Sequence, residues 1–131
     1  MSEREAIFNE GALKIERVRS DSELALVLTG KSIIREANET LLPVFVEGLR
    51  EAENAGLRLV LDFRPVTYMN SSSFAPVIKI LQKARLGAMP VSIIYSSEQK
   101  WQEVSFAAMT IFKTPDGRIS ITGSNNEQNN N

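Results

Sequence analysis

Apolar residues recur along this chain at two different spacings. Ala12–Val18 (ALKIERV) and Glu23–Thr29 (ELALVLT) have apolar side chains at every second position, and the short polar segment between them predicts a β-hairpin. Leu57–Phe63 and Val91–Tyr95 are more continuously apolar and rich in branched residues, which is typical of central strands. Arg118–Thr122 alternates again and predicts an edge strand.

Three helices are predicted between these strands by apolar residues three and four positions apart. The first begins near Thr40 and ends at Gly56, a residue suited to the left-handed position after a helix. The second ends before Gly87, and the third follows Ser96 and extends to Phe112. The order ββαβαβαβ therefore predicts an α/β fold, a single domain with a mixed central sheet of about five strands and three main helices.

The chain divides into one body and one tail. Residues 1–122 contain no internal repeat or linker and predict one domain, long enough to bury a core without disulfides or a structural metal. Residues 123–131 (GSNNEQNNN) have no apolar side chain to bury, so we expect a disordered, Asn-rich tail.

Composition excludes several chemistries. The chain has no Cys and no His, which removes disulfide scaffolds, zinc clusters, Cys nucleophiles and Ser-His-Asp triads. The seven glycines form no phosphate-binding pattern, so we expect no nucleotide cofactor. Because Cys and His are both absent, we also expect no metal. A net charge of −1 disfavours nucleic acid as a partner. No apolar run has the length of a membrane span and the N-terminus resembles no signal peptide, so we expect a cytoplasmic protein without membrane contact.

The segment 66–74 (VTYMNSSSF) has the most distinctive chemistry, because three consecutive hydroxyls lead into the second helix. Pro76 is tolerated only near the start of a helix, which places the predicted N-cap at Ser73, and no earlier than Ser72. Ser71 then lies just outside the helix, near free amides and the positive end of the helix dipole.

Ser71 in that position could be a nucleophile, an anion ligand or a phosphorylation acceptor. Catalysis is the weakest reading, because a catalytic serine needs a base, the chain has no His, and no Ser-x-x-Lys spacing starts from Ser71. From the residues alone, a phosphorylation switch and simple helix capping are equally well supported.

Leu59–Phe63 followed by Met69–Phe74, within the predicted element order, resembles the STAS domain of bacterial anti-sigma-factor antagonists. In that family the central strand leads to an Asp-Ser-Ser-Gly type motif whose first serine is phosphorylated by a partner kinase; Ser71 matches that serine, while Asn70 and Ser73 replace the Asp and the Gly. The loop is also similar to STAS-like biofilm regulators reading Leu-Asn-Thr-Ser-Ser, whose unphosphorylated form binds a diguanylate cyclase.

The resemblance implies a non-enzymatic interaction module of a partner-switching pathway, with Ser71 as phosphoacceptor. Asn70, Ser72 and Ser73 would support the loop and the helix cap. The partner would bind a docking face formed by Tyr68, Met69, Phe74, Lys79, Gln82 and Lys83. Lys79, Lys83 and Arg85 would favour an acidic partner surface, although a solvated helix face explains them equally well.

The implied partners are a serine kinase of the anti-sigma type, a PP2C-type phosphatase and, in the biofilm-regulator version, a diguanylate cyclase. The alternative is a small-ligand or nucleotide-sensing STAS-like domain, in which the serine loop, Asn70–Ser73, holds an anion and no kinase acts. The sequence predicts no particular oligomeric state.

Overall fold

Seven strands and four α-helices make up the computed structural model, which describes residues 3–125. The strands are β1 (Glu3–Glu10), β2 (Leu13–Arg19), β3 (Glu23–Ser32), β4 (Arg58–Asp62), β5 (Val66–Met69), β6 (Val91–Ser96) and β7 (Ile119–Ser124). The helices are α1 (Ala37–Thr40), α2 (Leu42–Ala55), α3 (Ser71–Leu86) and α4 (Lys100–Ala107), and a 3-10 helix, Ala108–Phe112, continues α4.

The strands form one mixed sheet in the order β1-β2-β3-β4-β6-β7, with β5 also paired to β3. The first three strands are antiparallel, and the pairs β3–β4, β4–β6 and β6–β7 are parallel. The predicted α/β class, with a mixed central sheet and three main helices, is confirmed. The sheet has seven strands rather than about five, because β1 and β5 were not predicted.

One edge of β3 pairs with two strands in succession. Glu23–Val27 pairs with β4, and the end of β3, from Gly30 onward, pairs with β5, with an irregularity between Gly30 and Lys31. Gly30 has a φ of 103°, and a Cβ at this position would lie 2.0 Å from the carbonyl oxygen of Ala12. Only glycine fits this close approach, at the residue where the pairing of β3 with β5 begins.

A single apolar core lies between the sheet and the helices. The sheet contributes residues at alternate positions of its strands, among them Leu24, Leu26, Leu28, Leu59, Leu61, Val91, Ile93, Ile119 and Ile121. Phe45, Leu49, Val77, Ile80, Leu81 and Phe106 from the three main helices belong to the same cluster. Because these helices all pack against the same set of alternate residues, they lie on one face of the sheet.

The predicted boundaries agree with the structure at some ends and not at others. Gly56 ends α2 in the left-handed conformation, with a φ of 70°, as predicted. The helix expected to begin near Thr40 is divided into α1 and α2, with Pro43 in the first turn of α2. Strand β7 runs to Ser124, beyond the predicted domain boundary at Thr122. Residues 126–131 of the expected tail lie outside the described residues.

Helices long and apolar enough to cross a bilayer do not occur within residues 3–125.

Candidate functional site

The serine loop follows β5 and forms the first turn of α3. The N-cap of α3 is Asn70, whose Oδ1 accepts a hydrogen bond from the Ser73 amide at 3.0 Å. The predicted cap at Ser73, or Ser72, is therefore wrong. Pro76 lies inside the helix, where its ring leaves the Ser72 carbonyl without the usual intrahelical donor. The bonds of the loop to the segment after β3 favour the earlier start in spite of this loss.

Asn70 and Ser73 fasten the first turn of α3 to the end of β3. The Asn70 amide donates to the Ser32 carbonyl at 3.0 Å, and its Nδ2 donates to the Ile34 carbonyl at 3.2 Å. Ser73 is fully buried, and its Oγ lies 2.6 Å from both Asn70 Oδ1 and Ser32 Oγ. Asn70 Oδ1 can only accept, so the Ser73 hydroxyl donates to it and the Ser32 hydroxyl donates to Ser73.

Ser72 adds a fourth bond to residues 32–35. Its hydroxyl donates to the Arg35 carbonyl at 2.7 Å, and the side chain is half-buried. Asn70, Ser72 and Ser73 thus hold residues 32–35 against the start of α3. The hydroxyls of Ser72 and Ser73 are engaged in this support and are not available for an external group.

Ser71 differs from both of its serine neighbours. It is exposed, and within residues 3–125 its hydroxyl has no hydrogen-bond partner. It is the first residue of α3, at the positive end of the helix dipole. No carboxylate or amine of the described residues is bonded to this hydroxyl, so nothing there activates it as a nucleophile. The Ser71 side chain is therefore open to solvent at the start of the helix.

The turn between β4 and β5 positions the loop from the other side. Arg64 pairs with Asp62 through two side-chain contacts, Nε to Oδ1 at 3.0 Å and Nη2 to Oδ2 at 2.7 Å. The hydrogen bonds that Arg64 donates to the Asp62 carboxylate raise the pKa of Arg64 above its ordinary value. The Arg64 amide also donates to Asp62 Oδ1 at 3.0 Å. The pair therefore stabilises the turn.

Two glutamines near the start of α4 hold the same turn, and the sequence analysis missed both. Gln102 is fully buried; its Nε2 donates to the carbonyls of Phe63 and Val66, each at 2.8 Å, and its Oε1 accepts from the Ser96 amide at 2.7 Å. Gln99 Nε2 donates to the carbonyls of Arg64 and Val66 at 3.0 Å. The available signal was the position of Gln102 four residues before Phe106 and seven before Met109, which places it on the same helix face as these apolar residues.

The predicted docking face is only partly a surface. Tyr68 is 49% exposed, and Lys79, Gln82 and Lys83 are exposed along α3. Met69 is instead buried in the core, because β5 turns Val66 and Met69 inward and Thr67 and Tyr68 outward. Phe74 is half-buried, with its ring edge-on to that of Phe106 at 5.9 Å between centroids. Met69 was therefore wrong as a surface contact, and Phe74 offers only part of its side chain.

Comparison with known proteins shows no family for this chain. No protein-family model matches the chain, and no curated protein matches it either. Among solved structures, the chain is similar to the crystal structure of an uncharacterized protein from the DUF3478 family with a SpoIIAA-like fold, from Shewanella loihica PV-4. The two sequences are 22% identical, the match covers 94% of this chain and 95% of the other, and the TM-score is 0.49.

Proposed function

We propose that this protein is a STAS-like, phosphorylation-switched interaction module of a bacterial partner-switching pathway, acting in the cytoplasm and catalysing no reaction itself. Its unphosphorylated form binds a partner protein, and phosphorylation of Ser71 releases that partner. The observation that carries the proposal is the contrast within the serine loop. Ser71 is exposed and unbonded within the described residues, whereas Ser72 bonds to Arg35 after β3 and Ser73 bonds to Ser32 at the end of β3.

Phosphorylation of Ser71 is compatible with the folded protein. A phosphate adds about −1.5 to −2 charges, and the first turn of a helix stabilises negative charge through its dipole and its free amides. Phosphorylation of Ser73 would instead require access to a buried hydroxyl oxygen that lies 2.6 Å from Asn70 Oδ1 and 2.6 Å from Ser32 Oγ. Phosphate on Ser71 therefore changes the surface that a partner meets, while the supporting bonds of the loop stay intact.

The proposed partners are those implied by the sequence resemblance. A serine kinase of the anti-sigma type adds the phosphate and a PP2C-type phosphatase removes it. The output partner is an anti-sigma-type protein or a diguanylate cyclase. Its docking face includes Ser71, Tyr68 and the exposed side of α3 with Lys79, Gln82 and Lys83.

The test begins with the site of modification. The protein is purified from its native host, and its peptides are mapped by mass spectrometry in wild type, Ser71→Ala and Ser72→Ala. We expect one phosphate on Ser71 in wild type and in Ser72→Ala, and none in Ser71→Ala. Phosphate on another residue, or none under any growth condition, would refute the switch.

Partner binding gives the second test. Ser71→Ala should retain the partner captured by the wild-type protein, and Ser71→Asp should lose it because a fixed charge replaces the hydroxyl. Ser72→Ala is the matched control for a change in the same turn. Equal capture by Ser71→Ala and Ser71→Asp contradicts the proposal.

A small-ligand-sensing module is the second candidate, and a groove favours it. The groove lies between the first strands and α2, has a volume of about 680 Å³, and is lined by apolar and charged side chains including Ile7, Leu26, Val44, Arg17 and Glu51. Native mass spectrometry of the protein from its host would detect a retained small molecule. Finding only the bare mass counts against this candidate.

A further inference from the structure

A second apolar groove lies at the far end of α3 from Ser71. It has a volume of about 460 Å³ and is lined by Gln82, Arg85, Leu86, Ile111 and Phe112. Arg85 Nη1 donates to the Ile111 carbonyl at 3.1 Å and joins the end of α3 to the 3-10 helix. Leu86 is 91% exposed and Ile111 is 75% exposed. Two large aliphatic side chains so open at one place are typical of a contact surface.

The charges around this groove have one sign. Residues 65–97, which include all of α3, contain Lys79, Lys83 and Arg85 and no acidic residue. Residues 104–115, which include the 3-10 helix, contain Lys113 and no acidic residue. Two acids flank this second range along the chain. Glu103 pairs with Lys100 at 3.7 Å, and Asp116 accepts hydrogen bonds from the Thr114 hydroxyl and the Arg118 amide.

The opposite charge collects on the neighbouring helices. Residues 36–55, which include α1 and α2, contain five Glu and one Arg. The net charge of −1 therefore conceals a separation into an acidic and a basic region. An apolar groove whose one charged lining residue is an arginine, and whose two segments carry cations and no acid, is complementary to an apolar side chain that is flanked by carboxylates.

The groove and Ser71 belong to the same helix face. Positions 71, 75, 79, 82 and 86 recur every three or four residues and form one stripe of α3, and all are exposed except the half-buried Ala75. The sixteen residues of α3 span about 24 Å at about 1.5 Å per residue. A helix of similar length lying along this stripe would contact Ser71 at one end and Leu86 at the other.

We infer that the groove anchors an acidic amphipathic helix of the partner protein. A Leu, Ile or Phe of that helix enters between Leu86 and Ile111, and its carboxylates face Lys83, Arg85 and Lys113. The inference rests on the proposed function in treating this chain as an interaction module, and it names the chemistry of the partner. Phosphate on Ser71 would then place negative charge on a face that binds through positive charge, which supplies a physical cause for release.

The test uses a defined probe. A synthetic helical peptide with Leu at three- and four-residue spacing and Glu elsewhere is titrated into the isotope-labelled protein and followed by NMR. A second peptide, with each Glu replaced by Lys, is the charge control. We expect the acidic peptide to shift the amide signals of residues 82–86 and 111–113, and the basic peptide to leave them unchanged.

Two matched variants locate the contact. Leu86→Glu places a carboxylate in the groove and should weaken acidic-peptide binding at least about tenfold, a loss typical of a central contact residue. Val104 is also apolar and 60% exposed, but it lies on α4 and does not line the groove. Val104→Glu should therefore leave the affinity unchanged.

Several results would overturn the inference. They are shifts confined to other residues, equal binding of both peptides, or equal effects of Leu86→Glu and Val104→Glu. Groove signals that change with protein concentration alone would assign the groove to a second copy of this chain. Co-sedimentation with phosphatidylglycerol vesicles, without a peptide response, would assign it to a membrane surface.

Failure of this inference is distinguishable from failure of the proposed function. If Ser71→Asp releases the cellular partner and Leu86→Glu does not weaken its capture, the switch stands and the groove is not its anchor. If the acidic peptide binds the groove but Ser71 is never phosphorylated, the groove stands and the switch does not.

Discussion

Replacing Ser73 with alanine tests how the three serines divide their roles. Ser73 Oγ lies 2.6 Å from Asn70 Oδ1 and 2.6 Å from Ser32 Oγ, and Ser32 and Ser73 are 2% and 0% exposed. Without the Ser73 hydroxyl, the Ser32 hydroxyl loses its acceptor in a site that excludes water. A buried polar group left without a partner costs about 1–3 kcal/mol. We therefore expect Ser73→Ala to lower the free energy of unfolding by about 2 kcal/mol.

The same reasoning predicts coupling between the two buried serines. Removing both hydroxyls leaves no unpaired group, so Ser32→Ala combined with Ser73→Ala should be less destabilised than the sum of the single changes by about 1 kcal/mol. Ser71→Ala removes an exposed, unbonded hydroxyl and should stay within about 0.5 kcal/mol of wild type. Urea unfolding, followed by the fluorescence of the single tryptophan, Trp101, measures all four proteins.

Two outcomes would refute this description of the loop. Equal destabilisation by Ser71→Ala and Ser73→Ala would mean that Ser71 is also a structural residue and not a free acceptor. Strict additivity of the Ser32 and Ser73 changes would mean that their hydroxyls do not interact. Either result would remove the main support for Ser71 as the modified residue.

Three further predictions concern the frame around the loop. Gly30→Ala should lower the free energy of unfolding, measured in urea, by more than about 3 kcal/mol, because its Cβ would lie 2.0 Å from a carbonyl oxygen. Gly11→Ala is the control: its φ is 61° but the space around it is open, so it should cost about 1–2 kcal/mol. Equal losses in the two variants would contradict the close contact. Hydrogen bonds from Arg17 hold the pKa of Glu51 below its ordinary value of 4.5, so the stabilisation is complete above pH 4.5 and is lost as the pH falls through the lower folded-state pKa. Between about pH 6 and about pH 3, the range in which carboxylates titrate, the melting temperature of Glu51→Gln should fall less steeply than that of the wild type. Parallel curves of melting temperature against pH for the two proteins would exclude the effect. Gln102→Leu removes three buried hydrogen bonds, two to the carbonyls of Phe63 and Val66 and one from the Ser96 amide. It should cost about 1–3 kcal/mol, with faster hydrogen exchange in β5; unchanged exchange there would show that this glutamine does not hold the turn.

Local patterns predicted most elements of the fold because their signals lie within a few residues. Three such signals can be recognised without knowing which residues pack against them. They are the alternation in β2 and β3, the apolar spacing of α3 and the left-handed Gly56. They yielded the α/β class and placed three serines at the start of a helix.

The missed elements depend on residues far away in the chain. Strand β5 has only four residues and exists because the end of β3 receives it. Strand β1 is an edge strand of mostly polar residues that pairs with β2 around an irregularity near Ile7. Such pairing has little periodic signal of its own.

The cap of α3 shows the same limit at the candidate site. The local rule for proline, applied to Pro76, predicts a later start of the helix. Asn70 nevertheless has a side chain that is favoured at the N-cap. The tertiary hydrogen bonds from Asn70, Ser72 and Ser73 to residues 32–35 outweigh one lost helical bond.

By itself, the sequence determined the chemistry that is available: no thiol, no imidazole, and three adjacent hydroxyls beside a strand end and a helix start. Only the tertiary structure decided what each hydroxyl does, since burial and hydrogen bonding depend on the neighbours that the fold supplies. It engaged Ser72 and Ser73, left Ser71 open, and buried Met69. It also brought the exposed Leu86 and Ile111, distant in sequence, into one groove, because the contact between α3 and the 3-10 helix forms only when both pack on the sheet.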